Sequence, residues 1–202
     1  MPSIQQVFAL MIRLEGLKRT ARTGWNKNFP PGHRFKTRRV EGVESVADHS
    51  WSLALFALVV ADLLGLDAFK LVRMALIHDV AELITLDIVT LWELDAEERA
   101  RLELEKKQLE DAAMREIFLN MGGWGLSCYL LWLEYEAQSS PEARVLRELD
   151  KFECAIQAVL YQEQGHELDA SEFMSTADSC LKSPELVEMM ALLRARAATV
   201  PR

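Results

Sequence analysis

At 202 residues, 50% hydrophobic and 27% charged, the chain has an ordinary globular composition with room for one substantial core. A formal net charge of −8 argues against a broad nucleic-acid-binding surface, so no nucleic-acid partner is expected. The cysteines, Cys128, Cys154 and Cys180, are odd in number and fit neither a disulfide framework nor a zinc pattern; buried thiols in a reducing cytosol are expected.

The opening stretch MPSIQQVFALMIRLEGLKR lacks the basic start and small-residue cleavage site of a signal peptide, which predicts a cytoplasmic protein. Within it Ile4, Val7, Phe8, Met11, Leu14 and Leu17 keep helical spacing, with Ser3 as the N-cap. The segment NKNFPPGHRFKTRR breaks that pattern and reads as a basic surface loop. Ser45 and Asp48 then form the capping box of a second helix running to about Leu64. Its apolar run, WSLALFALVVADLLGL, is interrupted by Asp62 and too short to span a bilayer, so no membrane association is expected. Asp67 caps a third helix, from about Ala68 to Leu83. Asp95 and Glu98 open a long charged helix, EERARLELEKKQLEDAAMREI, which reads as a solvated face laced with i,i+4 pairs and ends before GGWG. Ser140 and Pro141 start a further helix that closes at Gly165, and Ser183 and Pro184 start the last. Trp124, Trp132 and Tyr135 read as core or dimer contacts. No alternating strand, internal repeat or low-complexity tract interrupts the series. The fold class is all-α, a single domain of about seven or eight helices.

The stretch ALIHDVAEL places His78, Asp79 and Glu82 in the middle of an apolar helix, where polar groups are costly unless something pairs with them. In a continuous helix Glu82 stands one turn beyond His78, and Asp79 lies about 100° around from it. His49 in SVADHSW occupies the first turns of the preceding apolar helix, and Asp150 in LRELDKFE lies in the body of a later one. Taken singly, each has an ordinary explanation: a core histidine bonded to a carbonyl, a solvated aspartate, a surface glutamate. Together, two imidazoles and two carboxylates from three helices make a mixed nitrogen and oxygen set. That set suits one divalent ion, Mn, Co, Fe, Ni or Mg, better than a tetrahedral structural zinc. Glu82, one turn from His78, is then the candidate general acid.

LKRTARTGW, ESVADHS, ALIHDVAELITLDI, LWLEYEAQSSPEARVLRELDKFE and SPELVEM, in that order, resemble the HD-domain phosphohydrolases, specifically their 5′-deoxynucleotidase branch. The resemblance covers roughly residues 7–195 of the single domain 1–202. It implies an HD-domain helical bundle, a homodimer, and metal-dependent release of phosphate from nucleoside 5′-monophosphates. His49, His78, Asp79 and Asp150 match the family's metal ligands, Glu82 and Asp87 its two further catalytic carboxylates. Arg22 of ARTGW matches its phosphate-binding arginine, with Trp25 beside it at the substrate and Thr90 as a sugar contact. Two departures stand out. The link over 26–44 is an insertion, and TLDIVTLW keeps Asp87 but lacks the glycine and proline of the family's Gly-Asp-Leu/Ile-x-Pro stretch, in a loop that borders the sugar. Three alternatives stay open. A ribonucleotide or a specialised phosphoester is one substrate possibility. A non-enzymatic helical metal-binding adaptor would not need Glu82 and Asp87. A dinuclear HD enzyme would need more histidine ligands, and His33 and His166 fall outside the motifs.

Overall fold

Helices begin in this chain where a side chain can satisfy the first free amides. Reciprocal capping boxes join Ser3 to Gln6 on α1 (Ile4–Leu14) and Ser45 to Asp48 on α2 (Val46–Leu64). Asp67 accepts from the Lys70 amide at the start of α3 (Ala68–Ile77), and the single turn α4 (Glu82–Thr85) follows. Asp95 caps α5 (Ala96–Phe118) through the Glu98 amide, and α6 is Gly122–Ala137. Ser140 caps α7 (Pro141–Glu163), whose first turn holds Pro141; Asp169 caps α8 (Ala170–Cys180). The last helix, α9 (Pro184–Ala197), has no cap from Ser183 itself. Instead buried Glu148 of α7 accepts from the Lys182 and Ser183 amides, both at 2.8 Å. This computed structural model describes residues 2–27, 38–88 and 95–199. Among them eight helices have ten or more residues, α4 is one turn, and no strand forms beyond isolated bridges such as Ala21–Ser45 and Arg39–Glu167. The all-α expectation holds.

Two features decide where the chain turns. The third helix was expected to continue to Leu83, yet it ends at Ile77. The Val80, Glu82 and Leu83 amides bond only three residues back, to Ile77, Asp79 and Val80 carbonyls at 3.2, 3.0 and 3.1 Å. That tightened stretch leaves His78 as the C-cap of α3 and turns Asp79 toward it. At the α5–α6 junction, a Cβ on Gly125 would stand 1.9 Å from the Phe118 carbonyl oxygen, so only glycine lets α6 cross the end of α5. GGWG therefore opens a helix after a short turn.

Helix α7 packs against α2, α3, α6, α8 and α9 and forms the axis of the core. One apolar cluster gathers Leu53, Leu71, Met74, Leu146 and Leu149; a second gathers Leu10, Met114, Ile117, Phe118 and Trp132. His49, His78, Glu82, Asp150 and Glu153 are buried too, polar groups within the apolar packing. Helix α2, with 19 residues, is longer than its apolar run suggested and long and apolar enough to cross a membrane, but its inner face carries His49, Leu53 and Ala57 into the core.

The cysteines Cys128, Cys154 and Cys180 are all free thiols, the first buried and the others half-buried. Helix α5 shows the expected pairs Arg101–Glu105 and Arg115–Asp111, both at 2.7 Å. Lys106 and Glu110 depart from that solvated pattern by turning inward.

Candidate active site

The four expected ligands are brought together by α2, the end of α3 and α7. His78 Nδ1 lies 2.8 Å from the Ala75 carbonyl, which only accepts, so Nδ1 carries the ring proton and Nε2 presents a lone pair. His49 is fixed in the same sense: its Nδ1 stands 2.7 Å from Glu153 Oε2, one turn beyond Asp150 on α7. Both Nε2 atoms are buried without a hydrogen-bond partner. Around them stand carboxylate oxygens. Asp79 Oδ2 is 3.0 Å from His78 Nε2 and 3.9 Å from His49 Nε2, and Asp150 Oδ1 is 3.4 Å from His49 Nε2. Ligand atoms of His49, His78 and Asp79 lie within 4.8 Å of one another, as do those of His49, Asp150 and Cys154. Lone-pair donors converging at these distances repel unless a cation sits among them, so the residues present fit a divalent ion.

The charges agree. Burial disfavours ionised Asp79, but His78, Arg22 and His49 outweigh it and hold its carboxyl well below the usual range. Asp150 is likewise held low against burial, by Lys151 at 2.9 Å and by His49. Burial and Arg22 act against protonated His49, yet the Asp150 and Glu153 carboxylates push its pKa up to about 10. The surroundings therefore select positive charge at this point, which a bound cation supplies as well as a proton does.

Glu82 is 3% exposed and its Oε2 has no partner. Burial first, then the negative charges of Asp79 and Asp87, raise its pKa to about 9. Arg22 reaches the centre with Nη1 3.1 Å from Asp79 Oδ2 and Nη2 3.2 Å from Cys154 Sγ, so it can stand over anything bound there. Asp87, at the rim, is clasped: its Oδ2 accepts from the Thr23 amide at 2.5 Å and the Thr23 hydroxyl at 3.1 Å. Trp25 corrects an expectation. It is 2% exposed, stacked on Phe173 at 4.6 Å and edge-on to Tyr161, with Nε1 donating to Glu44 Oε1 at 3.0 Å. The apolar ring is worth more inside the core than at the rim, and its role is to hold Glu44 behind Arg22, where Glu44 Oε1 lies 3.9 Å from Nε. Thr90 and His33 lie outside the described residues. His166 packs on Tyr161 away from the centre.

Several residues at this site escaped the sequence reading. Glu153 shares a helix face with Asp150 at i+3, a spacing that was legible beforehand; Glu44 precedes a cap in irregular chain and carried no such signal. Tyr135 lies edge-on to His78 with ring centroids 5.5 Å apart, while Trp132 is buried and Trp124 half exposed. From α5, Lys106 Nζ donates to the Ile88 carbonyl at 2.8 Å and faces Glu110 at 3.5 Å.

Against known proteins, residues 14–187 match the HD domain family. The chain belongs to that family. It is 34% identical over 191 residues to the Homo sapiens protein named 5′-deoxynucleotidase HDDC2, covering 93% of this chain and 85% of that one. The Bos taurus protein of the same name is 35% identical over 187 residues, 91% of this chain and 82% of its own. A crystal structure from Pyrococcus horikoshii superposes with a TM-score of 0.70 at 28% identity, over 95% of this chain and 98% of that one. The resemblance read from the motifs and the all-helical HD fold are both upheld, and the chain is an HD-domain enzyme.

Proposed function

We propose that this enzyme releases phosphate from nucleoside 5′-monophosphates, 2′-deoxyribonucleoside 5′-monophosphates above all, with one divalent ion held by His49, His78, Asp79 and Asp150. The observation that carries the reading is the pairing of a buried Glu82, whose Oε2 has no partner, with a two-histidine, two-carboxylate centre whose Nε2 atoms lack partners too. A structural metal site has no use for such an acid. The relatives named 5′-deoxynucleotidase favour the substrate class.

Held by His49, His78, Asp79 and Asp150, an ion would supply Lewis acidity for a water and a phosphate oxygen. The mixed nitrogen and oxygen donors suit Mn, Co, Fe, Ni or Mg. The chain's own groups do the rest. Arg22 offers a planar fork for the remaining phosphate oxygens, already charged and already aimed by Asp79. Glu82 gives its proton to the departing 5′ oxygen, a poor leaving group without one. Asp87, held by Thr23 at the rim, orients the water or bonds the sugar, and residues next to it in the sequence set the preference for deoxyribose or ribose. Glu153 and the Ala75 carbonyl accept hydrogen bonds from the Nδ1–H groups of His49 and His78, which orients both Nε2 atoms toward the site of the ion.

The enzyme is further proposed to act in the cytoplasm as a homodimer. Trp51, Leu55, Leu58, Val59 and Leu63 recur at helical spacing on the outer side of α2 and are all exposed, a stripe that a second copy would cover.

Phosphate release from a panel of deoxyribonucleoside and ribonucleoside monophosphates, with each metal added back to stripped protein, tests the reading. Turnover that depends on metal and favours deoxynucleotides supports it. No release from any nucleoside monophosphate under any metal rejects it.

A further inference from the structure

The segment after α4 has an unusual backbone. Leu86 has φ 60° and ψ 171°. Gln138, the other non-glycine residue with positive φ among the described residues, sits in the ordinary left-handed well at φ 48° and ψ 38°. The Leu86 conformation lies outside that well, in a region where a Cβ is crowded and glycine is the usual occupant. Leucine persists there only when its surroundings over-determine it. Three sets of tethers do so. The Leu86 amide bonds the Glu82 carbonyl at 3.0 Å and its carbonyl accepts from the Thr85 hydroxyl at 3.1 Å. Thr23 holds Asp87 by its carboxylate and, at 2.9 Å, by its carbonyl. Lys106 holds Ile88 by its carbonyl at 2.8 Å.

The last tether is the informative one. Helix α5 is rich in arginine and glutamate that face water: Arg101 and Glu105 keep 59% and 52% of their side-chain surface exposed, whereas Lys106 keeps 27% and Glu110 13%. An ordinary helix-surface lysine gains little by immobilising its side chain. Lys106 has instead folded inward to a loop carbonyl 18 residues away in sequence. Thr23 and Lys106 grip the two residues immediately after the strained one, and Glu82 opens the one-turn helix just before it.

We propose that Lys106 is a positioning residue for the two catalytic carboxylates: by clamping Ile88 it keeps Leu86 in its disfavoured conformation and so fixes where Asp87 and Glu82 stand on either side of it. This rests on the roles given to Glu82 and Asp87 above. Without the clamp, Leu86 relaxes to negative φ, the chain swings, and Asp87 leaves Thr23. Glycine at position 86 has no disfavoured conformation to escape, so it makes the clamp dispensable.

A double-mutant cycle tests this on Mn-loaded protein with a deoxynucleoside monophosphate as substrate. Lys106→Met, which keeps the aliphatic stem and removes the donors, should lower kcat by about 10- to 100-fold, the scale of a misplaced catalytic group. Its Mn content should stay at the wild-type value, and amide exchange over residues 82–88 should accelerate. In a Leu86→Gly background the same Lys106→Met change should cost less than about threefold, a coupling that independent sites do not show. An equal loss in both backgrounds, or no loss in either, overturns the proposal. If the unaltered enzyme releases no phosphate, the assignment of function fails, while the exchange comparison still decides whether Lys106 holds the segment.

Discussion

Glu82 keeps its proton to about pH 9 because its carboxyl is buried and its nearest charged neighbours include Asp79 and Asp87. That state makes it an acid at neutral pH and also makes it a liability to the fold. Its pKa is raised on folding, so its contribution is most favourable below the unfolded value of 4.5 and is lost as pH rises toward about 9. Glu82→Gln, which needs no proton, should therefore be more stable than the unaltered protein, with the gap in Tm widening from pH 5 to pH 9; scanning calorimetry across that window checks it. A gap that narrows with rising pH contradicts the assignment. Turnover should move the other way. Glu82→Ala should lower kcat on a nucleotide by about 10²–10⁴-fold, the usual cost of one general acid, and recover most of the rate on p-nitrophenyl phosphate, whose leaving group needs no proton. Rate measurements on the two substrates separate an acid from a residue that only packs. At this scale the cluster was legible in the sequence: His49, His78, Asp79 and Asp150, which the fold brings together, are polar interruptions of apolar helix faces, where an unpaired group is costly. It misled at Trp25, because position next to an arginine in a motif says nothing about which side of the loop the ring packs on.

At the scale of elements, caps were legible and continuity was not. Serine or aspartate just before a helical run marks a start with a local mechanism, its side chain accepting from a first-turn amide, and Ser3, Ser45, Asp67, Asp95 and Ser140 all cap in this way. The break after Ile77 left no such mark. Residues 78–82 are compatible with a helix, and the tighter turn forms because tertiary packing sets His78 and Asp79 against His49 and Asp150. The inward tilt of Lys106 and Glu110 was equally hidden, since their charge pattern matches the solvated pairs around them. Burial first, then Glu136 and Asp79, raises the Glu110 pKa to about 7 despite Lys106. The α5–α6 crossing gives an element-level prediction. Gly125→Ala forces a Cβ against the Phe118 carbonyl, where backbone cannot yield cheaply. It should destabilise by about 1–3 kcal/mol, the range for overpacking, read as a lower denaturant midpoint with an unchanged slope. An unchanged midpoint refutes the close crossing.

For the whole molecule, the all-helical class followed from helical spacing and capping over nearly the full length, whereas the arrangement around α7 depends on contacts far apart in sequence. The outer stripe of α2 gives the assembly its test. Light scattering at micromolar concentration should return about twice the 23.0 kDa chain mass, and Val59→Asp, placing a charge in the stripe at a residue 72% exposed, should halve it. A monomer mass for the unaltered chain removes the dimer. Whether one divalent ion sits among His49, His78, Asp79 and Asp150 is decided by metal content after equilibration with Mn and removal of the excess. One ion per chain is predicted for the unaltered protein and for Glu82→Gln, and none for Asp79→Ala, since Asp79 shares its site with His78 at 3.0 Å while Glu82 lies a turn beyond. Full metal content in Asp79→Ala, or none in the unaltered protein, would contradict the account.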